Sequence, residues 1–448
     1  MSRLFYNRNH TFNKLFWFFW NYFQDASMPT AENLFLLVIS MLALESFRSI
    51  RFAWYHIISR LTGKSLNSFY YTLGYAAFDH LKWMAVTARL ALRCIPPSLK
   101  KAAVFLSIDD TLVEKYGTKF QARSKLFDHA AHNGSNYLNG HCFVSLMLHV
   151  PVLSADGIIY LSVPLGYRLW TKEHSKLELA ADMVRSVMAE LASCGQVILL
   201  CDSWYPKKPV SGLVGEFKNL EMICCARSDT VLYDLPGERT GKRGRPRTRG
   251  GRLELSSIAL HKPKGAPYYM GCREVITNLW KGRTAYAYVT AADPEKPDSF
   301  RLFLCTAGPE RIAIEPEEQA NEKIRSYSAW GMLPLGLFTL RWNIETSYYE
   351  TKTFWSFCDY MVRSVKGIER LYNLTCISYA AVHLLPYYYS VEFAEYQGQS
   401  PQEIRYQLGE KIRMNIIIHS LGQTIETIKK DLPLKKAFQE LMHKCGYL

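Results

Sequence analysis

Apolar residues recur at spacings of three and four from residue 1 to about 95, with little β-branched enrichment and with Pro96-Pro97 as a stop. That pattern predicts an all-α N-terminal domain over residues 1–98. The texture then changes. AVFLSIDD (103–110) is an apolar run ending in acids, and GHCFVSLMLHVPVL (140–153) and GIIYLSVPLG (157–166) are two more, joined by the hairpin signal SADG. SKLELAADMVRSVMAELAS (175–193) places Leu177, Ala180, Val184, Val187, Met188 and Leu191 on one helical stripe. QVILLCD (196–202) reads as a buried strand, KPVSGLVGEFKN (208–219) as a helix and LEMICCAR (220–227) as a fifth strand. Strand, strand, strand, helix, strand, helix, strand is the order of an α/β core, parallel where helices intervene.

A helix is due after the fifth strand, yet the next strong one starts more than a hundred residues later. PYYMGCREVITNLW, TAYAYVTAAD and FRLFLCTAG lie between and read as strands separated by turn residues. The expected division is therefore an all-α domain (1–98), a first core segment (99–228), a β-rich insertion with a basic loop (229–315), a last core segment (316–365) and a helical C-terminal region (366–448).

Composition adds a direction. The chain of 448 residues is long enough for two or three domains, and 48% hydrophobic residues allow a sizeable core. With 54 Lys plus Arg against 40 Asp plus Glu the formal charge is +14, which favours a polyanionic partner, nucleic acid before membrane. LFWFFWNYF (15–23) and NLFLLVISMLAL (33–44) are greasy but fall short of the about 20 apolar residues that span a bilayer. They read as buried helices, without a signal peptide. None of the eleven cysteines forms a C-x-x-C pair, which argues against structural zinc and fits a reducing cytosol.

The chemistry concentrates in RWNIETSYYETK (341–352) and at two strand ends. On a helix, Arg341 to Lys352 turns through about 1100°, roughly 20° past three full turns, and Glu345 lies one turn from the arginine. The three charges share one face with Tyr348. Asp109 and Asp110 close the first strand and Asp202 the fourth, and the carboxyl ends of strands in an open α/β sheet form the natural crevice. Three carboxylates gathered there suit Mg²⁺, or Mn²⁺, as a pair of ions acting on a phosphodiester.

Acids on strands one and four and on a late helix, with strands interrupting the core, resemble the ribonuclease H-like fold of the DDE transposases. The detailed resemblance is to bacterial insertion-sequence transposases of the insertion-sequence-four-like group. Their signature of Tyr, two residues, Arg, three residues, Glu, six residues, Lys is matched by Arg341, Glu345 and Lys352, whereas Phe338 stands at the tyrosine position. The resemblance implies that Asp109, Asp202 and Glu345 are the catalytic, metal-binding triad and that Arg341 and Lys352 hold phosphates; Tyr348, on the same helical face, is a candidate DNA contact in place of the missing tyrosine. It also implies Asp109 rather than Asp110 as the first acid, because the family sets that acid two before the threonine.

TGKRGRPRTRGGR (240–252) offers a separate DNA contact through Lys242, Arg243, Arg245, Arg247 and Arg249. Its RGRP core looks like an AT-hook, and narrow minor grooves attract arginine. Trp204, two residues past Asp202, is a candidate for stacking on an unpaired base. The resulting expectation is a cytoplasmic, nucleoid-associated transposase acting on double-stranded DNA as a homodimer. Its rivals are a nuclease of the same fold that joins nothing and a DNA-binding protein with an inactive triad.

Overall fold

The structure, a computed structural model, describes residues 10–128, 136–238, 247–430, 436 and 439–440. The chain forms two units, one of Met1–Phe78, Lys352–Val362 and Gln399–Leu448, the other of Asp79–Thr351 and Arg363–Gly398.

In the first unit the two greasy segments become the helices His10–Phe23 and Met28–Ala43. Met28–Ala43 is buried along nearly its whole length, and Phe12 and Phe16 meet its Phe35 edge-on, with ring centroids 5.7 and 5.3 Å apart. No described helix is long and apolar enough to cross a membrane. Helix Pro401–Lys430 crosses close to Met28–Ala43 at Gly409, where a Cβ would stand 2.8 Å from the Leu42 carbonyl oxygen. One turn away, the buried Arg405 donates to the carbonyls of Met41 and Leu44 at the end of that helix and to the carbonyl of Phe354. A helix C-terminus leaves such carbonyls without intrahelical partners and favours a cation.

The second unit is a mixed sheet flanked by helices. β1 (Val104–Glu114) pairs antiparallel with β3 (Tyr137–Ser154) and parallel with β5 (Val197–Cys201), and β5 pairs parallel with β6 (Leu220–Ala226). Both faces of β5 are buried, as its unbroken apolar run requires. On its far side β3 carries β4 (Gly157–Leu169) along most of its length and the short β2 (Ser124–Phe127) at its start. Beyond β6 lies antiparallel β11 (Phe300–Cys305), then β10 (Thr284–Ala291), β9 (Tyr269–Thr277) and the two-residue strands β7 (Leu232–Tyr233) and β8 (Arg252–Leu253). The strands of the expected insertion therefore continue the same sheet, which has eleven described strands, rather than stacking as a separate layer.

Local differences have local causes. The stretch expected as one helix over 208–219 is two single turns, Lys208–Ser211 and Leu213–Glu216, with Gly212 and Gly215 weakening continuity. β2 was not anticipated, because four residues carry too little alternation. Helix Trp83–Arg93 belongs with the sheet: Gly166 on β4 lacks the Cβ that would stand 2.6 Å from the Met84 side chain. A register shift opens β4 beside Leu146 and Met147, and Asn373 of helix Val365–Tyr388 satisfies the exposed backbone. Its Oδ1 accepts from the Tyr167 amide (3.0 Å) and its Nδ2 donates to the Tyr167 carbonyl (2.9 Å).

Candidate active site

The register of β1 on β5 pairs Ile108 with Cys201 and then stops. Asp109 and Asp202, the next residues of each strand, emerge side by side where β5 ends. Successive strand residues face opposite ways, so Asp109 and Asp110 cannot share a site. Asp110 is engaged elsewhere. Its Oδ2 lies 2.7 Å from the Lys176 ammonium, and its Oδ1 accepts the Tyr205 hydroxyl at 2.9 Å. Asp109 accepts the following amide at Oδ1 (2.8 Å) and pairs through Oδ2 with Arg341 (3.2 Å).

Arg341 closes a 3-10 turn leading into helix Trp342–Phe354, and its other amino nitrogen meets Glu345 at 2.5 Å. One guanidinium thus joins the first acid to the helix-borne one. Phe338, at the tyrosine position of the signature that the sequence resembles, lies with its ring centre 5.8 Å from the guanidinium carbon and packs edge-on against Phe303. It is an aromatic floor for the cation and brings no hydroxyl. Tyr348 is buried rather than surface-facing, and its hydroxyl bonds to Ser145, which sits opposite Asp109 on β3 and donates to the Asp109 carbonyl at 3.3 Å. Lys352 occupies the last turn of the same helix, where the chain passes into the other unit.

Burial pushes the Asp109 carboxyl up to about 7; the neighbouring Asp202 adds to the push, while Arg341 and the Asp110 amide oppose it. Arg341 therefore undercompensates the cluster. That is the condition in which a further cation is stabilised, and hard carboxylate oxygens fit a divalent ion in kind. Among the described residues, however, no three His, Cys, Asp or Glu side chains stand closely enough to enclose one. Glu345 is turned to Arg341.

A hydrogen-bond chain, buried at its inner end, fixes the acid-bearing helix to the sheet. Asn343 donates to the Ser162 hydroxyl (2.8 Å), Ser162 meets His149 Nδ1 (2.7 Å), and His149 Nε2 meets Ser107 (2.7 Å), two residues before Asp109. Burial holds the His149 ring far below its ordinary range, to about 3, so it is neutral in the fold. The sign follows: from pH 6.5 downward the unfolded chain takes a proton that the folded one refuses, and stability is lost as pH falls, by about 2 kcal/mol at pH 5. Urea unfolding of wild type and His149→Gln at pH 7.5 and pH 5 checks this. The variant should lose less stability on acidification, by about that amount, and equal losses would refute it.

The basic tract is attached between β7 and β8. Lys242, Arg243 and Arg245 lie outside the described residues. Arg247 is exposed, and Arg249 lies 4.0 Å from the Tyr233 ring centre with a bond to Asn278. Trp204 is 40% exposed, and its amide donates to Asp202 Oδ1 at 3.0 Å. Sequence reasoning missed Ser145, His149, Lys176 and Tyr205. Their partners lie 13 to 203 positions away, and no local spacing marks them.

Residues 62–270, a little under half of the chain, match the family described as DDE superfamily endonuclease. Asp109 and Asp202 fall inside that segment, and Glu345 falls beyond it. No curated protein matches the chain. The match suggests an enzyme of nuclease or transposase type: over residues 62–270 this chain is similar to the DDE superfamily endonucleases.

Proposed function

We propose that the protein is a DNA transposase that cuts at the ends of an insertion sequence and joins the freed 3′-hydroxyl to target DNA. The supporting observation is the cluster in which Asp109 and Asp202 emerge side by side and Arg341 joins Asp109 to Glu345. The order β4–β3–β1–β5–β6, antiparallel in its first three strands and parallel in its last three, is similar to a ribonuclease H-like core. Two Mg²⁺ or Mn²⁺ ions held by Asp109, Asp202 and Glu345 would supply activation of the attacking oxygen and neutralisation of charge at the phosphate. Arg341 offers a planar fork to a phosphate beside the scissile bond, and Lys352 a second positive charge further along the helix. Tyr348 acts from below, setting the helix against the Asp109 strand through Ser145. Arg247, Arg249 and the rest of the tract grip flanking duplex, and a homodimer brings two element ends together.

The test incubates the purified chain with labelled element ends, a target plasmid and Mg²⁺. Joined products are expected, and Asp202→Ala should abolish both cutting and joining while retaining DNA binding. Cutting without joining would replace the proposal with a plain nuclease. Binding with neither reaction in the wild type would leave a DNA-binding protein.

A further inference from the structure

Antiparallel neighbours are commonly joined by about two to five residues, yet β1 ends at Glu114 and β3 starts at Tyr137. The first part of this long connection carries charge of one sign: residues 115–127 include Lys115, Lys119, Arg123 and Lys125 and no acid. It is held in a fixed course. The Arg123 guanidinium donates to the Lys115 carbonyl and the His141 ring to the Gln121 carbonyl, each at 2.8 Å. The Gln121 amide donates to the Arg363 carbonyl and its side-chain oxygen accepts the Val365 amide, both at 3.0 Å. Those bonds lash the loop to the start of helix Val365–Tyr388, where Arg363 and Lys366 are exposed. Alternation sorts the ribbon that follows. Leu126 is buried on one side of β2, and Lys125 and Phe127 face solvent on the other. Phe127 stands opposite Tyr137 in the register, with the two rings edge-on at 5.3 Å, and the Lys125 ammonium lies 4.5 Å from the Tyr137 ring centre.

Several exposed arginines elsewhere in this unit have carboxylate partners, among them Arg89 with Glu190, Arg185 with Glu216 and Arg273 with Asp234. Lys119, Lys125, Arg363 and Lys366 have none among the described residues. Clustered like charges repel, and a polyanion relieves that repulsion. The place suits one. β1 runs on from Asp109 to Glu114, about 17 Å at the rise of a strand, so the patch stands on the side of the sheet where β5 ends, about five base pairs of duplex from the acids. In the sheet order, β2 and β3 lie toward one edge and β7 and β8, which bracket the basic tract, at the other, with β1 and β5 between them. We infer that the β2–β3 ribbon and the Arg363–Lys366 turn form a second, sequence-independent clamp on duplex DNA, with Lys119, Lys125, Arg363, Lys366 and the Tyr137 hydroxyl on phosphates and the Phe127 ring against the sugars. Such contacts position a duplex without reading its bases. The inference goes beyond the transposase reading and needs only that the chain handles duplex DNA.

The experiment measures binding of the full chain, in EDTA, to a labelled duplex of arbitrary sequence over a range of salt concentrations. Lys125→Ala/Lys366→Ala should weaken binding about tenfold at about 0.1 M salt and make the slope of log K against log salt shallower by about two, equally on an unrelated sequence. Lys125→Arg/Lys366→Arg should keep the wild-type slope. Lys100→Ala/Lys101→Ala removes the same charge from exposed positions just before β1, at its opposite end, and should leave the slope unaltered. Equal losses in the two alanine pairs, no loss in either, or a loss confined to one sequence overturns the inference. The two readings fail separately. Cutting and joining with an unchanged slope in Lys125→Ala/Lys366→Ala sinks the clamp alone, whereas the expected slope change without cutting or joining in wild type sinks the transposase reading alone.

Discussion

Asp109→Asn is expected to make the metal-free protein more stable while abolishing DNA cleavage. The Asp109 carboxyl, raised to about 7 from 3.8, is penalised in its charged form in the fold. For a group whose folded value is raised, the cost grows as pH climbs from 3.8 and is complete above 7. Three pK units correspond to roughly 4 kcal/mol, an upper bound once the lost Arg341 pairing is allowed for. A gain of about 2–4 kcal/mol at pH 8 is therefore expected, visible as a melting temperature higher by several degrees, and shrinking toward pH 5 as the wild-type carboxyl takes its own proton. Mg²⁺ or Mn²⁺ should raise the melting temperature of wild type and leave the variant unmoved, since a ligand stabilises only the state that binds it. No stabilisation at pH 8 would mean that Arg341 already neutralises the cluster.

Arg341→Gln is expected to do the reverse. Removing the cation leaves Asp109 and Glu345 facing each other with Asp202 alongside, and breaking a buried pair on one side typically costs about 3–5 kcal/mol. Glu345 is one-third exposed, so a loss of about 2–3 kcal/mol is expected. Without the opposing arginine the Asp109 carboxyl rises further. The loss is then greatest at high pH and fades as pH falls through that raised value. In the Asp109→Asn background the same substitution should cost at least about 1 kcal/mol less, a coupling that denaturant titration of the four proteins reads directly. Equal costs in both backgrounds would show that the arginine acts through packing on Phe338 instead. Cleavage by Arg341→Gln should fall by roughly 10²-fold or more.

The strands around Asp109 were legible because long apolar runs, the SADG turn and a strong helical stripe at 175–193 are local signals. The Arg341–Glu345 pair was legible for the same reason: one turn of helix separates them. What could not be read was distant pairing. Alternation says that Asp109 and Asp110 face apart, but only Lys176, 66 positions from Asp110, shows which one is already engaged. The strands after residue 229 announce themselves by composition, yet that β11 docks on β6 is settled by residues about eighty positions apart. A helical stripe likewise shows that a face is buried without naming its partner. Hence Trp83–Arg93 and Val365–Tyr388 go with the sheet, while Pro401–Lys430 goes with the N-terminal helices.

Arg405 carries that last point into biosynthesis. The guanidinium that closes off Met28–Ala43 and grips the Phe354 carbonyl is made some 360 residues after the helix it serves. During translation the N-terminal helices emerge with apolar flanks and no lid, and the strand-rich middle is fully outside the ribosome before their partner appears. Assembly of the helical unit thus waits for Arg405, whereas every residue of the sheet unit, Asp79–Thr351 and Arg363–Gly398, is made before it.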